Sequence, residues 1–361
     1  MWNSACFTQK NDTTIHTPEK IKYQPVLVVP ELDIPWGMAF LTDGSMLITE
    51  IKGKLIHFKN GIKTEILNVP EVYARGQGGL LDVALHPDYK NNGWVYLTYS
   101  SPEGEKKGGN TALMRAKIKE GSLSDKQVLY KGSPNTNAAH HFGSRIVFDN
   151  NGFLYFTIGD RGEHFVNPQD ITKDGGKVYR LKDDGSIPGD NPFYHKKGAK
   201  QAVYSYGHRN PQGMTKHPET GEIWTNEHGP QGGDEINVIR KGANYGWPVI
   251  CYGINYDGSK LTDKTAMEGM EQPLYYYVPS IAPSGMAFIH SEVYAGWKGN
   301  LLIGSLKFQY LERLEIKNNK VTYREKLLAG IGRVRNVIMG PDGFIYVAVE
   351  GEGIYKIVPI K

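Results

Sequence analysis

The sequence predicts an all-β fold, a six-bladed β-propeller. A loose unit recurs six times: a short apolar strand, an x-D-G or x-N-G type turn, and a second strand. It starts at residues 35, 80, 143, 211, 283 and 334, as in "PWGMAFLTDGSMLITE", "GSRIVFDNNGFLYFTIGD" and "VRNVIMGPDGFIYVAVEG". Turn chemistry and alternation make each unit a β-hairpin. Several hairpins are followed by a third strand, such as "GKLIHFKNG", "GKVYRLKDDG" and "LERLEIKNN". Similar hairpins repeated this often suit radial packing, which leaves few sheet edges exposed. A sandwich gives no reason for six similar units. The 43 glycines and 22 tyrosines fit many tight turns between strands.

The first unit of the ring, at 35–50, follows a polar stretch, so a tail over 1–25 and a single propeller domain over 26–361 are expected. Long helices look absent. Residues 242–280 interrupt the spacing and read as an insertion at one face. The 42 basic and 38 acidic residues leave a net charge of +4, and there is no long Lys/Arg run. That argues against a nucleic-acid partner. The two cysteines, Cys6 and Cys251, cannot form a disulfide framework or a cysteine-based zinc site. No stretch approaches the roughly 20 apolar residues that span a bilayer. In "MWNSACFTQKNDTTIHT" a small-residue pair precedes Cys6, and a polar tail follows. This resembles the end of a lipoprotein signal with most of its apolar region missing. It gives the expectation of an exported protein, periplasmic or on an outer face, tethered to a membrane by a lipid on Cys6. The alternative is an unstructured tail with a chance cysteine.

In a propeller, loops from different blades meet at one mouth, so functional residues should lie at corresponding places in several blades. Five segments do. Gln77 lies in the glycine loop "RGQGGLLD", and His140 and His141 precede the third unit. Arg209 and Asn210 precede the fourth, in "GHRNPQG". Lys307 follows a strand in "GSLKFQY", and Arg333 and Arg335 precede the sixth unit in "GIGRVRNV". Residues two apart on extended backbone point to one face, so the two arginines should be aimed at one place. With Arg209 and Lys307 they make four cations at blade ends. Gathering them without an anion costs several kcal/mol of repulsion and desolvation. They are therefore either dispersed in solvent or hold a polyanion. Each histidine is either a catalytic base or an ordinary loop residue. A zinc site from His140, His141, His208 and His228 is disfavoured, because adjacent histidines on extended backbone point opposite ways.

A sixth segment, "TNEHGPQGGDEINVIRKGANYGWP", carries Glu227, Asp234 and Glu235, with Tyr245 further on. Carboxylates and exposed carbonyls in a glycine-rich loop suit a hard cation such as calcium, although the EF-hand spacing is missing. The other reading is a solvated acidic turn. No HExxH, phosphate-loop or G-x-S-x-G motif is present.

Taken in order, "GQGGLLD", His141 before "FGSR", "GHRNPQG", "GGDEIN…NYGWP", "SLK" and "RVR" resemble the soluble quinoprotein glucose dehydrogenases and aldose sugar dehydrogenases. The likeness runs from about residue 26 to 358. It implies an oxidoreductase on a six-bladed propeller with pyrroloquinoline quinone (PQQ) and calcium. Its substrate is an aldose, oxidised at the anomeric carbon to a lactone, and its electrons go to an external acceptor. By that resemblance Arg209, Lys307, Arg333 and Arg335 clamp the cofactor's carboxylates, with Asn210 and Gln77 adding hydrogen bonds. His141 is the general base, and Arg209 stabilises charge developing on the quinone oxygen. The carbonyls of Gly229 and Pro230 hold a calcium, and Glu235 with the Tyr245 carbonyl holds a second, structural one. The sequence departs from the glucose dehydrogenases at His140, where they carry an acid that steadies the protonated base. A loop histidine facing away from the pocket is the other reading of His140. Two rival readings are a PQQ-free propeller that binds a carbohydrate or protein, and a calcium-dependent lactonase.

Overall fold

The structure, a computed structural model, describes residues 20–360. Within them six four-stranded antiparallel sheets form a closed ring. Blade 1 holds β2 (Pro35–Phe40), β3 (Met46–Glu50), β4 (Lys54–Lys59) and β5 (Ile62–Ile66). Blade 2 holds β6 (Leu80–Leu85), β7 (Val95–Ser101), β8 (Asn110–Lys119) and β9 (Ser122–Lys131), with a one-turn helix α1 (Tyr89–Asn92) inside its first connection. Blade 3 holds β10 (Ile146–Phe148), β11 (Leu154–Ile158), β12 (Lys177–Leu181) and β13 (Val203–Tyr206). Blade 4 holds β14 (Pro211–Lys216), β15 (Ile223–Glu227), β16 (Asp234–Val238) and β17 (Tyr275–Tyr277), and blade 5 holds β18 (Pro283–Phe288), β19 (Leu301–Ser305), β20 (Tyr310–Lys317) and β21 (Lys320–Leu327). Blade 6 takes β22 (Val334–Met339), β23 (Ile345–Val349) and β24 (Gly353–Pro359) from the C-terminal end, and its outermost strand is β1 (Tyr23–Pro30).

The expected hairpins form the inner two strands of every blade. Their turns follow from local chemistry. Gly44 and Gly343 sit at φ +81° and +79°, and the preceding aspartates close Asx turns: Asp43 Oδ1 accepts from Ser45 N at 3.0 Å and Asp342 Oδ1 from Phe344 N at 3.2 Å. The tail boundary expected at residue 25 falls inside β1, which starts at Tyr23 and pairs with β24 from Tyr23↔Pro359 to Pro30↔Gly353. The interruption at 242–280 is the long connection from β16 into the short strand β17.

The ring is tight because of a repeated Pro-x-Gly-Met at the start of three inner strands, at 35–38, 211–214 and 283–286. A Cβ on Gly37 would stand 2.7 Å from Val83 N of the next blade; on Gly213, 2.3 Å from Ser284 O; on Gly285, 2.2 Å from Asn336 Oδ1. Only glycine lets neighbouring inner strands approach this closely. The methionines that follow are buried between blades. Five of the six inner strands also carry a register shift at their start, at Pro35/Gly37, Leu80/Val83, Pro211/Gly213, Pro283/Met286 and Val334/Asn336. Such irregularities re-aim side chains. They all lie at the same mouth of the ring, and Gln77, Arg209, Asn210, Arg333 and Arg335 precede or occupy three of them.

Candidate active site

The mouth is floored by a polar network that crosses the channel. Asp82 of β6 takes Arg145 Nη1 at 2.9 Å, Arg145 Nε donates to Gln212 O at 3.0 Å, and Gln212 Oε1 accepts from Arg335 Nη1 at 2.9 Å. Four blades are tied together in three steps. Asp82 and Arg145 are buried together, which suits a pair that satisfies each other's charge.

Above this floor sits His141. Its backbone is not extended, as the sequence argument assumed, but left-handed at φ 59°. That conformation is costly for a non-glycine residue, by about 1 kcal/mol. Two side chains hold it. Gln77 Oε1 accepts the His141 backbone N–H at 2.8 Å. Buried Arg161 lies over the Phe142 ring, its Cζ 3.5 Å from the centroid, and donates to the carbonyls of Ala138, at 2.6 Å, and His140. Because of this turn the two adjacent imidazoles do not point opposite ways. They meet edge to face at 4.5 Å. His140 is an exposed loop residue whose ring rests against His141.

His141 Nδ1 lies 2.6 Å from Asp160 Oδ1. Asp160 is fully buried and also receives Gly162 N at 2.8 Å and Trp247 Nε1 at 2.9 Å. Burial opposes its ionisation, but the bond from His141 and the nearby charge of Arg209 hold its carboxyl below the usual range. An ionised Asp160 on one side fixes the His141 tautomer: Nδ1 carries the proton and Nε2 is the free base. Burial, with Arg209 adding repulsion, lowers the imidazole to about 4, against the pull of Asp160. At neutral pH the ring is therefore uncharged and able to take a proton.

This shift has a stability consequence. An unfolded histidine titrates near 6.5. As pH falls from 6.5 towards 4 the unfolded chain binds a proton that folded His141 refuses, so stability drops across that window and levels off below about 4. The loss from this group is on the order of 3 kcal/mol. Urea melts of the native protein and of His141→Gln at pH 7 and pH 4.5 check it; the variant is expected to lose clearly less.

Arg209 is nearly buried. Its Nη1 donates to Gly229 O at 2.7 Å and to His228 O at 3.2 Å, its backbone N donates to Glu227 Oε2 at 2.6 Å, and its Nε has no partner. Its carbonyl accepts from Asp160 N at 2.7 Å, which joins it to the histidine. Asn210 Oδ1 accepts from Gly143 N at 3.1 Å, and its buried amide nitrogen is unpartnered. Gln77, His141, Arg209 and Asn210 are thus brought together from three blades.

Arg333 and Arg335 converge as expected, but on a group the sequence argument did not consider. Arg333 Nε meets Glu350 Oε2 at 2.6 Å and Arg335 Nε meets Glu350 Oε1 at 2.8 Å. The choice between solvent and an external polyanion was therefore incomplete, since one internal carboxylate serves both arginines. Arg335 is buried, while the Arg333 side chain is 46% exposed. Arg333 Nη1 also donates to Leu306 O at 3.2 Å, which places it beside Lys307. Lys307 is exposed, lies 5.4 Å over the Phe308 ring, and forms no ion pair among the described residues.

Behind Arg209, Glu227 and Glu235 are cross-strand partners on β15 and β16. Both take the Asn237 amide, at 3.1 and 3.0 Å, and Asn237 Oδ1 is buried without a partner. Burial and the Glu227 charge push Glu235 up to about 8. His208 Nδ1 meets Glu227 Oε1 at 2.8 Å, and the Tyr245 ring stacks on His208 at 4.5 Å. Gly229 N is held by Asp234 Oδ1 at 2.8 Å, which shapes the loop that carries Pro230.

Asp160 and Glu350 were missed in the sequence, and a signal for them exists. In four blades the second strand ends in an acid or is followed by one within two residues: Glu50, Asp160, Glu227 and Glu350. Each accepts a donor at the mouth: Asp33 N, His141, Arg209 N and the arginine pair respectively. Comparing the hairpins position by position would have found them.

A closed six-bladed ring with a buried imidazole base and gathered cations at one mouth defines a propeller enzyme. The sequence profile described as Glucose / Sorbosone dehydrogenase matches residues 32–356. The chain is 41% identical to the aldose sugar dehydrogenase YliI of Escherichia coli K12 over 89% of this chain and 88% of that protein. It is 29% identical to quinoprotein glucose dehydrogenase B of Acinetobacter calcoaceticus, over 91% and 85%. The PQQ-bound aldose sugar dehydrogenase of Streptomyces coelicolor superposes with a TM-score of 0.78 at 28% identity, covering 95% of this chain and 99% of that one. The chain belongs to the glucose/sorbosone dehydrogenase family. It is an oxidoreductase that acts on sugars.

Proposed function

We propose that this enzyme oxidises aldoses at the anomeric carbon to lactones, using PQQ and calcium, and passes the electrons to an external acceptor. The observation that carries the reading is the pairing of neutral His141, its Nε2 left free by Asp160, with the guanidinium of Arg209 at one mouth. The relatives named as a quinoprotein and as PQQ-bound support the cofactor.

The residues present fit both groups. A planar tricarboxylate suits Lys307, Arg333 and Arg335, together with the orphaned Arg209 Nε and Asn210 amide and the Gln77 side chain. Buried Glu227, its half-buried partner Glu235 and the unpartnered Asn237 Oδ1 make an oxygen-rich setting that suits a hard cation. Glu235 with the Tyr245 carbonyl would hold a structural calcium, and the carbonyls of Gly229 and Pro230 a catalytic one, for which the Gly229 carbonyl must first release Arg209 Nη1. When bound, PQQ supplies the quinone that accepts a hydride, and calcium polarises it. The chain does the rest. His141 Nε2 takes the proton of the anomeric hydroxyl. Asp160 stabilises the imidazolium that results. Arg209 aims positive charge at the oxygen that becomes negative. The lactone leaves through the open mouth.

Titration of the apoprotein with PQQ and calcium tests this, following the quinone absorbance as aldoses are added. Stoichiometric binding and bleaching by a sugar are the expected result. Absence of PQQ binding sinks the reading, and lactone hydrolysis without PQQ replaces it with a lactonase. Arg333→Ala is expected to weaken PQQ binding by about tenfold, a modest loss because this arginine is half exposed and shares Glu350. Unchanged affinity in the same titration removes Arg333 from the clamp.

For location, we propose export to the periplasm or an outer face, with a lipid on Cys6. Cys6 lies outside the described residues. Mass spectrometry of the native protein decides it.

A further inference from the structure

Trp247 has no part in the mechanism so far, yet its indole touches both arms of the site. The residue is buried and lies early in the long connection from β16 to β17. Its backbone is pinned on both sides. Its N–H donates to Gly207 O at 2.8 Å, and its carbonyl accepts from Gln169 Nε2 at 2.8 Å. Gln169 also exchanges two amide bonds with Asn244, at 3.0 and 2.8 Å. Gln169 and Gly207 belong to blade 3, so the connection from blade 4 is clamped onto its neighbour and the indole has a fixed seat.

From that seat Nε1 donates to Asp160 Oδ2 at 2.9 Å. The ring centroid lies 5.3 Å from Arg209 Cζ, within cation–π range. The donors on Asp160 divide unevenly. Oδ1 takes His141 Nδ1 and Gly162 N, whereas Oδ2 takes the indole alone among the described residues. Asp160 is fully buried, which keeps bulk solvent off Oδ2. An indole N–H is a donor only; it neither accepts nor titrates, and it has no second orientation to offer as an amide or hydroxyl has. Oδ2 is thereby fixed as an acceptor. A hydrogen bond to the charged form of a carboxylate lowers its affinity for a proton. The stronger the hold of the indole on Asp160, the weaker the pull of Asp160 on the Nδ1 proton of His141.

We infer that Trp247 is a positioning residue: its N–H takes a share of the Asp160 charge that His141 would otherwise receive, and its face holds Arg209 beside that pair. The inference rests on the sugar-oxidising reading proposed above. It has a signed consequence. Removing the N–H concentrates the carboxylate charge on His141 and raises the proton affinity of the imidazole. The charged and titratable groups that face His141 are Asp160, Arg209, His140 and His228, and Arg161 bears on Asp160. All of them are kept when only residue 247 changes.

The test is a pH titration of the His141 ring in the full chain without PQQ, read by NMR of the histidine ring carbons and assigned with His141→Gln. Two changes are compared with the native chain. Trp247→Phe keeps an aromatic face and loses the N–H. Replacement of Trp247 by benzothienylalanine keeps the bicyclic shape, with sulfur in place of the N–H. Both are expected to move the titration of His141 to higher pH by about one unit, a tenfold gain in proton affinity. The acid limb of kcat/KM in the PQQ- and calcium-loaded enzyme is expected to follow. An unmoved ring titration in both overturns the inference. So does a shift in Trp247→Phe alone, which marks the space left by a smaller ring. If Trp247→Phe does not fold, the benzothienylalanine chain decides by itself. A shifted ring with an unmoved limb in an active enzyme also overturns the positioning role. A shifted ring in a protein that oxidises no aldose upholds the hold of Trp247 on the His141–Asp160 pair and sinks only the dehydrogenase reading.

Discussion

His141→Ala is expected to lower kcat by about 10²–10⁴-fold, the usual range for a general base. PQQ affinity should stay within a few-fold, because the imidazole carries no charge at neutral pH and is not part of the cationic clamp. The two readouts separate a catalytic role from a structural one. Single-turnover bleaching of bound quinone by an aldose measures the first, and the PQQ titration measures the second. A variant that turns over at the native rate removes His141 from the chemistry. One that loses both activities together shows that the left-handed turn at residue 141, held by Gln77 and Arg161, has collapsed. His141→Asn tolerates that backbone better and is the control.

Asp160→Asn is expected to have the second-largest effect, again about 10²–10⁴-fold in kcat. The carboxylate does three things at once. It receives Nδ1–H, it accepts from Trp247 Nε1, and it stands ready to balance the imidazolium. An amide keeps the size but can present its N–H to Nδ1, which turns the base the wrong way. It also removes the charge that raises the histidine's basicity. The pH profile gives the diagnostic reading. The acid limb of kcat/KM, which follows protonation of His141, should move to lower pH in Asp160→Asn, because the carboxylate that raises the imidazole is gone. An unmoved limb with reduced rate would mean that Asp160 only holds the loop in place.

Much of the ring was legible because hairpin turns are local. A Gly at positive φ after an Asp or Asn, between two alternating runs, announces itself without any knowledge of the rest of the chain. The outer strands were harder. β5 is exposed along almost its whole length, and β17 has three residues, so neither carries an apolar rhythm. β1 was read as partly tail because its partner, β24, lies more than 300 residues away. The site shows the same division. His141, Arg209 and the arginine pair stand in recognisable motifs. Asp160 and Glu350 follow ordinary strands, and only their placement beside a base and beside two guanidinium groups gives them meaning. Counting cations suggested an external anion; the fold supplies part of the counter-charge itself.

The strand that completes blade 6 sets the order in which this molecule can assemble. β1 is made first, yet its partner β24 is made last, so β1 must wait through the synthesis of five blades with its hydrogen-bonding edge unsatisfied. Contacts of such long sequence separation slow folding, and an edge left open in the meantime invites pairing with other chains. The thermodynamic cost of joining distant ends grows only slowly, by about 0.6 kcal/mol for each doubling of the loop. The burden is therefore one of time rather than of final stability. Once the two ends meet, the ring opens only if that joint is broken, and the same eight residues that delay its formation become its clasp.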